Sequence, residues 1–99
     1  MIVERIVFRL KFGKAKDAKA LMKEARTIMP QEWLQNQRIL FDLVGPSYRL
    51  VMETTYKSLT DMEAMYSKEM PNMKEMDAWY QKFIPLVEES TKEMWTVYE

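Results

Sequence analysis

The side chains of this sequence that could do chemistry are carboxylates, tyrosines and tryptophans, because the chain has neither cysteine nor histidine. It therefore lacks a thiolate nucleophile, an imidazole base near neutral pH and the usual ligands of transition metals. A carboxylate could act as a base if apolar surroundings raised its pKa, and the candidates are Asp42, Glu53 and Glu4. We expect arginines to neutralise Asp42 and Glu53. We predict that the protein uses no metal and no cofactor.

A second candidate set combines methionine and aromatic side chains at helical spacing in the second half of the chain. Methionine is flexible and polarisable, and it often lines adaptable apolar pockets. Such a stripe either fills the core or lines a pocket for a small apolar molecule between helices and sheet. The predicted ligand-binding residues are Met62, Met65, Tyr66, Met76, Trp79, Tyr80 and Phe83.

A third set lies near the open end of a predicted hairpin that spans residues 33–56 and consists of Trp33, Asn36, Arg38 and Tyr56. Side chains alternate between the two faces of a strand. Trp33 and Asn36 therefore fall on opposite faces if both belong to the strand. On that interpretation one pocket does not hold both side chains.

Six predicted elements must position these residues. Apolar alternation predicts a strand over 2–12, and a spacing of three and four predicts a helix over 15–29. A hairpin follows, then a helical region in two pieces, and a last strand over 91–98. The order strand, helix, strand, strand, helix, strand is that of the ferredoxin-like α+β fold. We predict one domain over residues 1–99, with an antiparallel four-stranded sheet and both helices on one face.

The register of the hairpin follows from its charges. With a two-residue loop at Gly45 and Pro46, Arg38 opposes Glu53 and Asp42 opposes Arg49. Opposite charges that face each other directly stabilise a sheet by roughly 0.2–1 kcal/mol per pair. The same register aligns apolar residues: Leu40 with Val51, Phe41 with Leu50, Ile39 with Met52 and Leu43 with Tyr48.

Helices on one side leave the other face of the predicted sheet without a cover. That face mixes apolar side chains with charges that could pair across a seam, so a second copy of the chain would bury it. The alternative is a monomer whose long side chains lie over the face. The predicted homodimer interface consists of Val7, Arg38, Leu40, Asp42, Arg49, Val51 and Glu53.

The charge balance gives no reason to expect binding to nucleic acid or to an anionic membrane, since 15 basic residues cancel 15 acidic ones. Residues 1–50 are nevertheless basic and residues 51–99 acidic. This asymmetry indicates either complementary surfaces within the fold or a basic face for an anionic ligand. Because no apolar run approaches the ~20 residues of a membrane span and no hydrophobic leader opens the chain, we predict a cytoplasmic protein.

Three short segments resemble a known superfamily: Phe12-Gly13-Lys14, Tyr56-Lys57-Ser58-Leu59 and Glu93-Met94-Trp95-Thr96-Val97. They are similar to the dimeric α+β-barrel superfamily, and within it to NIPSNAP-like and antibiotic-biosynthesis-monooxygenase-like domains. The likeness spans almost the whole chain and implies two ferredoxin-like protomers that join their sheets. The missing histidine departs from the haem-degrading members, which use a histidine for iron.

The resemblance leaves open whether the protein is an enzyme. One implied function is a dimeric domain that binds a small apolar or aromatic molecule between helices and sheet. The other is a cofactor-independent monooxygenase or isomerase acting on an aromatic or polyketide-like substrate. Members that oxidise aromatic compounds without a metal use Trp, Asn and Tyr side chains in their pocket.

Overall fold

A computed structural model describes residues 1–45, 47–68 and 73–98. Four strands and four α-helices are present in these ranges, with one 3₁₀ turn, Ile84–Leu86, before the last strand. In chain order they are β1 (Ile2–Leu10), α1 (Ala15–Ile28), α2 (Gln31–Leu34), β2 (Gln37–Phe41), β3 (Arg49–Tyr56), α3 (Leu59–Ser67), α4 (Met73–Phe83) and β4 (Val87–Thr96).

The four strands form one sheet in the order β2-β3-β1-β4, and every pair of neighbours is antiparallel. β1 and β3 lie in the centre, while β2 and β4 are the edges. This arrangement is the split βαβ pattern of the ferredoxin-like fold. The predicted fold class is therefore confirmed, with the short helix α2 as an addition.

The core lies between the sheet and the helices α1 and α4. Trp79 of α4 stacks on Phe83, and the centroids of the two rings are 5.1 Å apart. The rings of Phe83 and Phe8 in β1 form a T-shaped pair with centroids 5.0 Å apart. The Trp79 indole N–H also donates to the carbonyl oxygen of Leu21 in α1 at 2.6 Å. The buried core residues are Leu10, Ala18, Met22, Ala25, Leu50, Trp79 and Phe83.

The other side of the sheet, here called the open face, carries the alternate residues of each strand. Across the hairpin the register is as predicted: Arg38 pairs with Glu53, and Leu40 pairs with Val51. β1 extends this face, because its Val7 is the register partner of Val51. Among the described residues, the buried core cluster lies on the opposite side of the sheet, and none of its helices covers the open face.

Two predictions at the ends of strands are wrong: that Phe12 belongs to the first strand, and that Leu43 pairs with Tyr48. Phe12 is 87% exposed, because β1 ends at Leu10 and the chain turns at Gly13, whose φ is +79°. The predicted pair of Leu43 and Tyr48 does not form either. Leu43 is 98% exposed, and the ring of Tyr48 instead lies 5.1 Å from the ring of Phe12. The cause is that the hairpin ladder stops at the Asp42–Arg49 contact; Pro46 of the predicted loop lies outside the described residues.

Two element boundaries also differ from the prediction. Residues 31–34 form the helix α2 rather than the start of a strand, and β2 begins only at Gln37. The last strand begins at Val87, four residues before the predicted start at 91. Residues 88–93 are polar and exposed on this edge strand, so apolar alternation is missing there.

Candidate binding cleft

A cleft of about 150 Å³ lies between the helix-covered face of the sheet and the helices α2 and α3. Its floor comes from β1, β2 and β3, and its walls come from α2, α3 and the end of α1. Most of its lining is apolar, with a few polar groups among it, which is the usual character of a small-molecule site. The lining residues are Glu4, Ile6, Met29, Glu32, Trp33, Asn36, Gln37, Met52, Thr54, Tyr56, Met65 and Tyr66.

The polar end of the cleft is built around Glu4, which is only 4% exposed. The hydroxyl of Tyr66 donates a hydrogen bond to Glu4 Oε2. The ammonium group of Lys92 on β4 lies 3.0 Å from the same oxygen and 5.3 Å from the centre of the Tyr66 ring. A buried carboxylate is costly unless it is paired, and these two groups supply the pairing.

Two tyrosines at this end act as hydrogen-bond donors. Burial, together with the hydrogen bond to Glu4 and the charge of that carboxylate, raises the pKa of Tyr66 to about 12. Burial and the Glu4 charge also raise the pKa of Tyr56 above its ordinary range. Both hydroxyls are therefore protonated at neutral pH, and neither can serve as a base there.

Trp33 and Asn36 both line the cleft, so the prediction that one pocket does not hold both is wrong. The reason is that neither residue belongs to a strand: Trp33 is in the helix α2, and Asn36 lies in the turn between α2 and β2. The strict alternation of a strand therefore does not apply to them. Tyr56 lines the same cleft, and the structure thus brings Trp, Asn and Tyr together.

The predicted ligand-binding residues divide between cleft and core. Met65 and Tyr66 line the cleft, while Trp79 and Phe83 are buried in the main core and Met76 packs against it. Tyr80 is 53% exposed on α4, and Met62 is half-buried on α3. Sequence reasoning missed Ile6, Met29 and Met52 as cleft residues; their apolar character within the predicted elements was the only available signal.

The other two candidate carboxylates lie on the open face with arginine partners, as expected. Asp42 Oδ2 is 3.5 Å from Arg49 Nε. Glu53 is bound by Arg5 at 2.9 Å and by Arg38 at 2.8 Å, and it is 6% exposed. Burial favours its neutral form, but hydrogen bonds from Arg5 and Arg38 outweigh burial and lower the pKa of Glu53 below 4.5.

Neither a metal cluster nor a membrane span is found in the part of the chain that the structure describes. No group of three or more acidic side chains there is placed to hold a metal ion. None of the helices in those ranges is long and apolar enough to cross a bilayer.

The same fold occurs in solved structures of bacterial proteins. A NIPSNAP family protein from Agrobacterium tumefaciens superposes with a TM-score of 0.82 at 21% identity, over 99% of this chain and 93% of that chain. An uncharacterised NIPSNAP-like domain protein from Burkholderia xenovorans gives 0.77 at 20% identity, over 98% and 84%. A proposed antibiotic biosynthesis monooxygenase from Nitrosomonas europaea gives 0.65 at 18% identity, over the whole of both chains.

No protein-family model and no curated protein matches the sequence. At identities near 20%, the structural similarity establishes the fold. The chain has the ferredoxin-like α+β fold that NIPSNAP family proteins and antibiotic-biosynthesis-monooxygenase-like proteins share, as the sequence resemblance implied. Another of these similar structures, also from Agrobacterium tumefaciens, is described as a NIPSNAP family protein with unknown function. Function has to be argued from the site.

Proposed function

We propose that residues 1–99 form a single domain that binds a small apolar or aromatic molecule in the cleft. The observation that carries this proposal is the volume of about 150 Å³ between mostly apolar walls. An apolar cavity of ~150 Å³ accommodates one benzene molecule. The cleft therefore matches a single six-membered ring, and the rest of a larger ligand would project from its opening.

Binding of toluene, followed by ligand-observed NMR, tests this proposal. Met65→Trp should fill the cleft and weaken binding at least about tenfold, or ~1.4 kcal/mol. The larger side chain should be tolerated because α3 buries none of its residues. Met62→Trp is the matched control, since it lies one turn earlier on the same helix and is not among the cleft-lining residues; it should bind toluene like the wild type. Toluene that binds both variants equally well would contradict the proposed site.

A second candidate is a cofactor-independent monooxygenase, favoured by the convergence of Trp33, Asn36 and Tyr56 on one cleft. Such an enzyme would convert an activated ring CH₂ group to C=O, with one oxygen atom of O₂ retained and the other released as water. Oxygen uptake with anthrone as substrate tests this activity. Asn36→Ala should slow uptake at least about tenfold, while Gln35→Ala, an exposed neighbour, should not. Uptake no faster than that of anthrone alone excludes the candidate.

We propose in addition that the protein is a homodimer joined through the open face. Support comes from the half-exposed apolar residues at its centre, Leu40 and Val51, and from the ion pairs on either side of them. Val7, on the neighbouring strand, continues the apolar centre. Side chains of this mixture suit a specific interface better than bulk solvent.

The proposed location is the cytoplasm. A chain without cysteine forms no disulfides, and this composition is compatible with a reducing compartment.

A further inference from the structure

Glu4 occupies a position where the strand pattern calls for an apolar residue. It shares one face of β1 with Ile6 and Phe8, and it is almost fully buried. Taking a carboxylate out of water costs several kcal/mol before its partners are counted. The helix-covered face of β1 therefore keeps a charge at the floor of the cleft, next to apolar walls.

The pairing of Glu4 uses only part of its capacity to accept hydrogen bonds. Tyr66 and Lys92 both bind Oε2. A carboxylate has about four acceptor sites on two oxygens. Among the described residues, no hydrogen bond to Oε1 is found, and no buried side-chain oxygen lacks a partner, so Oε1 is accessible and can accept a bond from a ligand.

The bond from Tyr66 illustrates which group this carboxylate accepts, namely the hydroxyl of an aromatic ring. The charges of the cleft-lining residues restrict the possible ligands further. Both charged residues that line the cleft are acidic, Glu4 and Glu32. Each of them is already paired with a lysine, Glu4 with Lys92 and Glu32 with Lys68, so a ligand carboxylate would find no unpaired cation among the described lining residues. A neutral hydroxyl, in contrast, would donate to Glu4 in a strong, charge-assisted hydrogen bond.

We propose that Glu4 makes the cleft selective for phenols, that is, single-ring ligands with a neutral hydroxyl group. The selectivity is over hydrocarbons of the same shape, which leave Oε1 without a donor, and over aromatic carboxylates, which find no unpaired cation among the described lining residues. This inference rests on the proposed binding function, because it names the ligand class of the same cleft.

Calorimetric titration with p-cresol, toluene and p-toluate tests the proposal. The wild type should bind p-cresol about tenfold more tightly than toluene, and p-toluate most weakly, because a hydrogen bond to a charged group is stronger than one between neutral groups. Glu4→Gln, which keeps the shape of the side chain, should reduce the preference for p-cresol over toluene to about twofold. Equal affinities of p-cresol and toluene in the wild type would overturn the proposal and leave the binding function standing. Absence of binding by all three compounds would overturn both.

A second variant keeps the test decisive if Glu4→Gln does not fold. Tyr66→Phe retains the carboxylate and removes one of its donors, so the preference for p-cresol over toluene should rise about threefold. If this variant instead loses the preference for p-cresol, the Tyr66 hydroxyl makes the bond to the ligand and Glu4 is not the selective group.

Discussion

Glu53 is a carboxylate held between two arginines on the open face of the sheet. Its pKa lies below the ordinary value of 4.5, because the hydrogen bonds from Arg5 and Arg38 outweigh the effect of burial. A carboxylate whose folded-state pKa is depressed stabilises the fold above its unfolded-state pKa, and this contribution disappears as the pH falls through the folded-state pKa. Acid should therefore weaken the protein through this residue.

We predict that Glu53→Gln lowers the free energy of unfolding by about 1–2 kcal/mol near neutral pH, since both arginine partners are partly exposed and solvent screens them. The difference from the wild type should shrink as the pH falls below the ordinary pKa of a glutamate, because the wild-type carboxylate then takes up a proton. Urea unfolding at fixed protein concentration, at about pH 7 and about pH 3, measures both effects.

Glu93→Gln is the matched control, because Glu93 also approaches Arg5, at 3.9 Å, but both side chains are well exposed. It should change the free energy of unfolding by less than about 0.5 kcal/mol at either pH. A difference for Glu53→Gln that stays constant with pH would contradict the assigned titration.

The partners of single residues were predictable where the alternation and charge of one hairpin determine them. The partner of Arg38 followed from charge and alternation across one hairpin. Arg5 as a second partner of Glu53 did not, because it depends on which strand lies on the other side of β3. The special position of Glu4 left a signal, an acid between Ile2 and Ile6 on the apolar side of β1. Its partners Tyr66 and Lys92 are 62 and 88 positions away and depend on the tertiary fold.

At the scale of elements, α3 is weakly attached to the core. Like the short helix α2, it has no buried residue, whereas α1 buries Ala18, Met22 and Ala25. Its start is capped by the Ser58 hydroxyl, which accepts from the Asp61 N–H at 3.2 Å, and the hydrogen bond from Tyr66 to Glu4 ties it to the sheet. Helices with few buried contacts open locally at low free energy.

We predict that backbone amides of α3 exchange hydrogen with solvent at least about tenfold faster than those of α1. Ser58→Ala removes the N-cap, which contributes ~1 kcal/mol, and should accelerate exchange in α3 about fivefold. Residue-resolved exchange by NMR measures both rates.

Ser67→Ala serves as the comparison, since the Ser67 hydroxyl only donates to the carbonyl of Glu63 within the helix and should leave exchange nearly unchanged. Protection of α3 equal to that of α1 would show that the helix is held by more than these contacts.

The elements that were predicted well are long ones with a clear period, such as α1 and β1. α2 was missed because four residues are too few for periodicity. Its available signals were Pro30 at the start and Glu32 in the first turn. That one omission changed the cleft, since it moved Trp33 from a strand to a helix. The start of β4 was missed for the opposite reason, because polar residues on an edge strand resemble a loop.

For the whole molecule, the homodimer is the main proposal that the fold leaves to experiment. Specific interfaces bury ~1,200–2,000 Å² in total, a size that one face of a four-stranded sheet can supply. Leu40 lies near the middle of the open face, opposite Val51, and is 38% exposed. Because Leu40 is already largely covered within one protomer, burial of its remaining surface against a second copy should contribute about 1 kcal/mol per protomer.

We predict that the wild type has about twice the chain mass of 11.9 kDa in solution and that Leu40→Asp has the mass of one chain. The aspartate would place an unpaired charge in the seam, while the core on the other side of the sheet stays intact. Light scattering at micromolar concentration gives the mass, and circular dichroism shows whether the variant is folded.

Leu59→Asp is the control, because Leu59 is also an exposed leucine but begins α3, where an acid is well tolerated. It should remain a dimer. A wild type with the mass of one chain excludes the dimer, and a dimeric Leu40→Asp variant places the contact on another surface. The open face itself was predictable from the alternation of side chains along the strands. What packs against this face cannot be predicted from the hydrophobic pattern of a single chain.

The strand β4 has consequences for handling concentrated solutions of the protein. Within the described residues, β4 pairs with β1 on one side and with no strand on the other, so that its outer edge presents backbone donors and acceptors to another chain. The first seven of its ten residues are protected from pairing with another chain by charge repulsion and hydration, which come from Glu88, Glu89, Lys92 and Glu93. Met94 and Trp95, both about half exposed, follow without such protection. Aggregation through edge-strand pairing should therefore start at the carboxyl end of this strand, and Met94→Lys should reduce it.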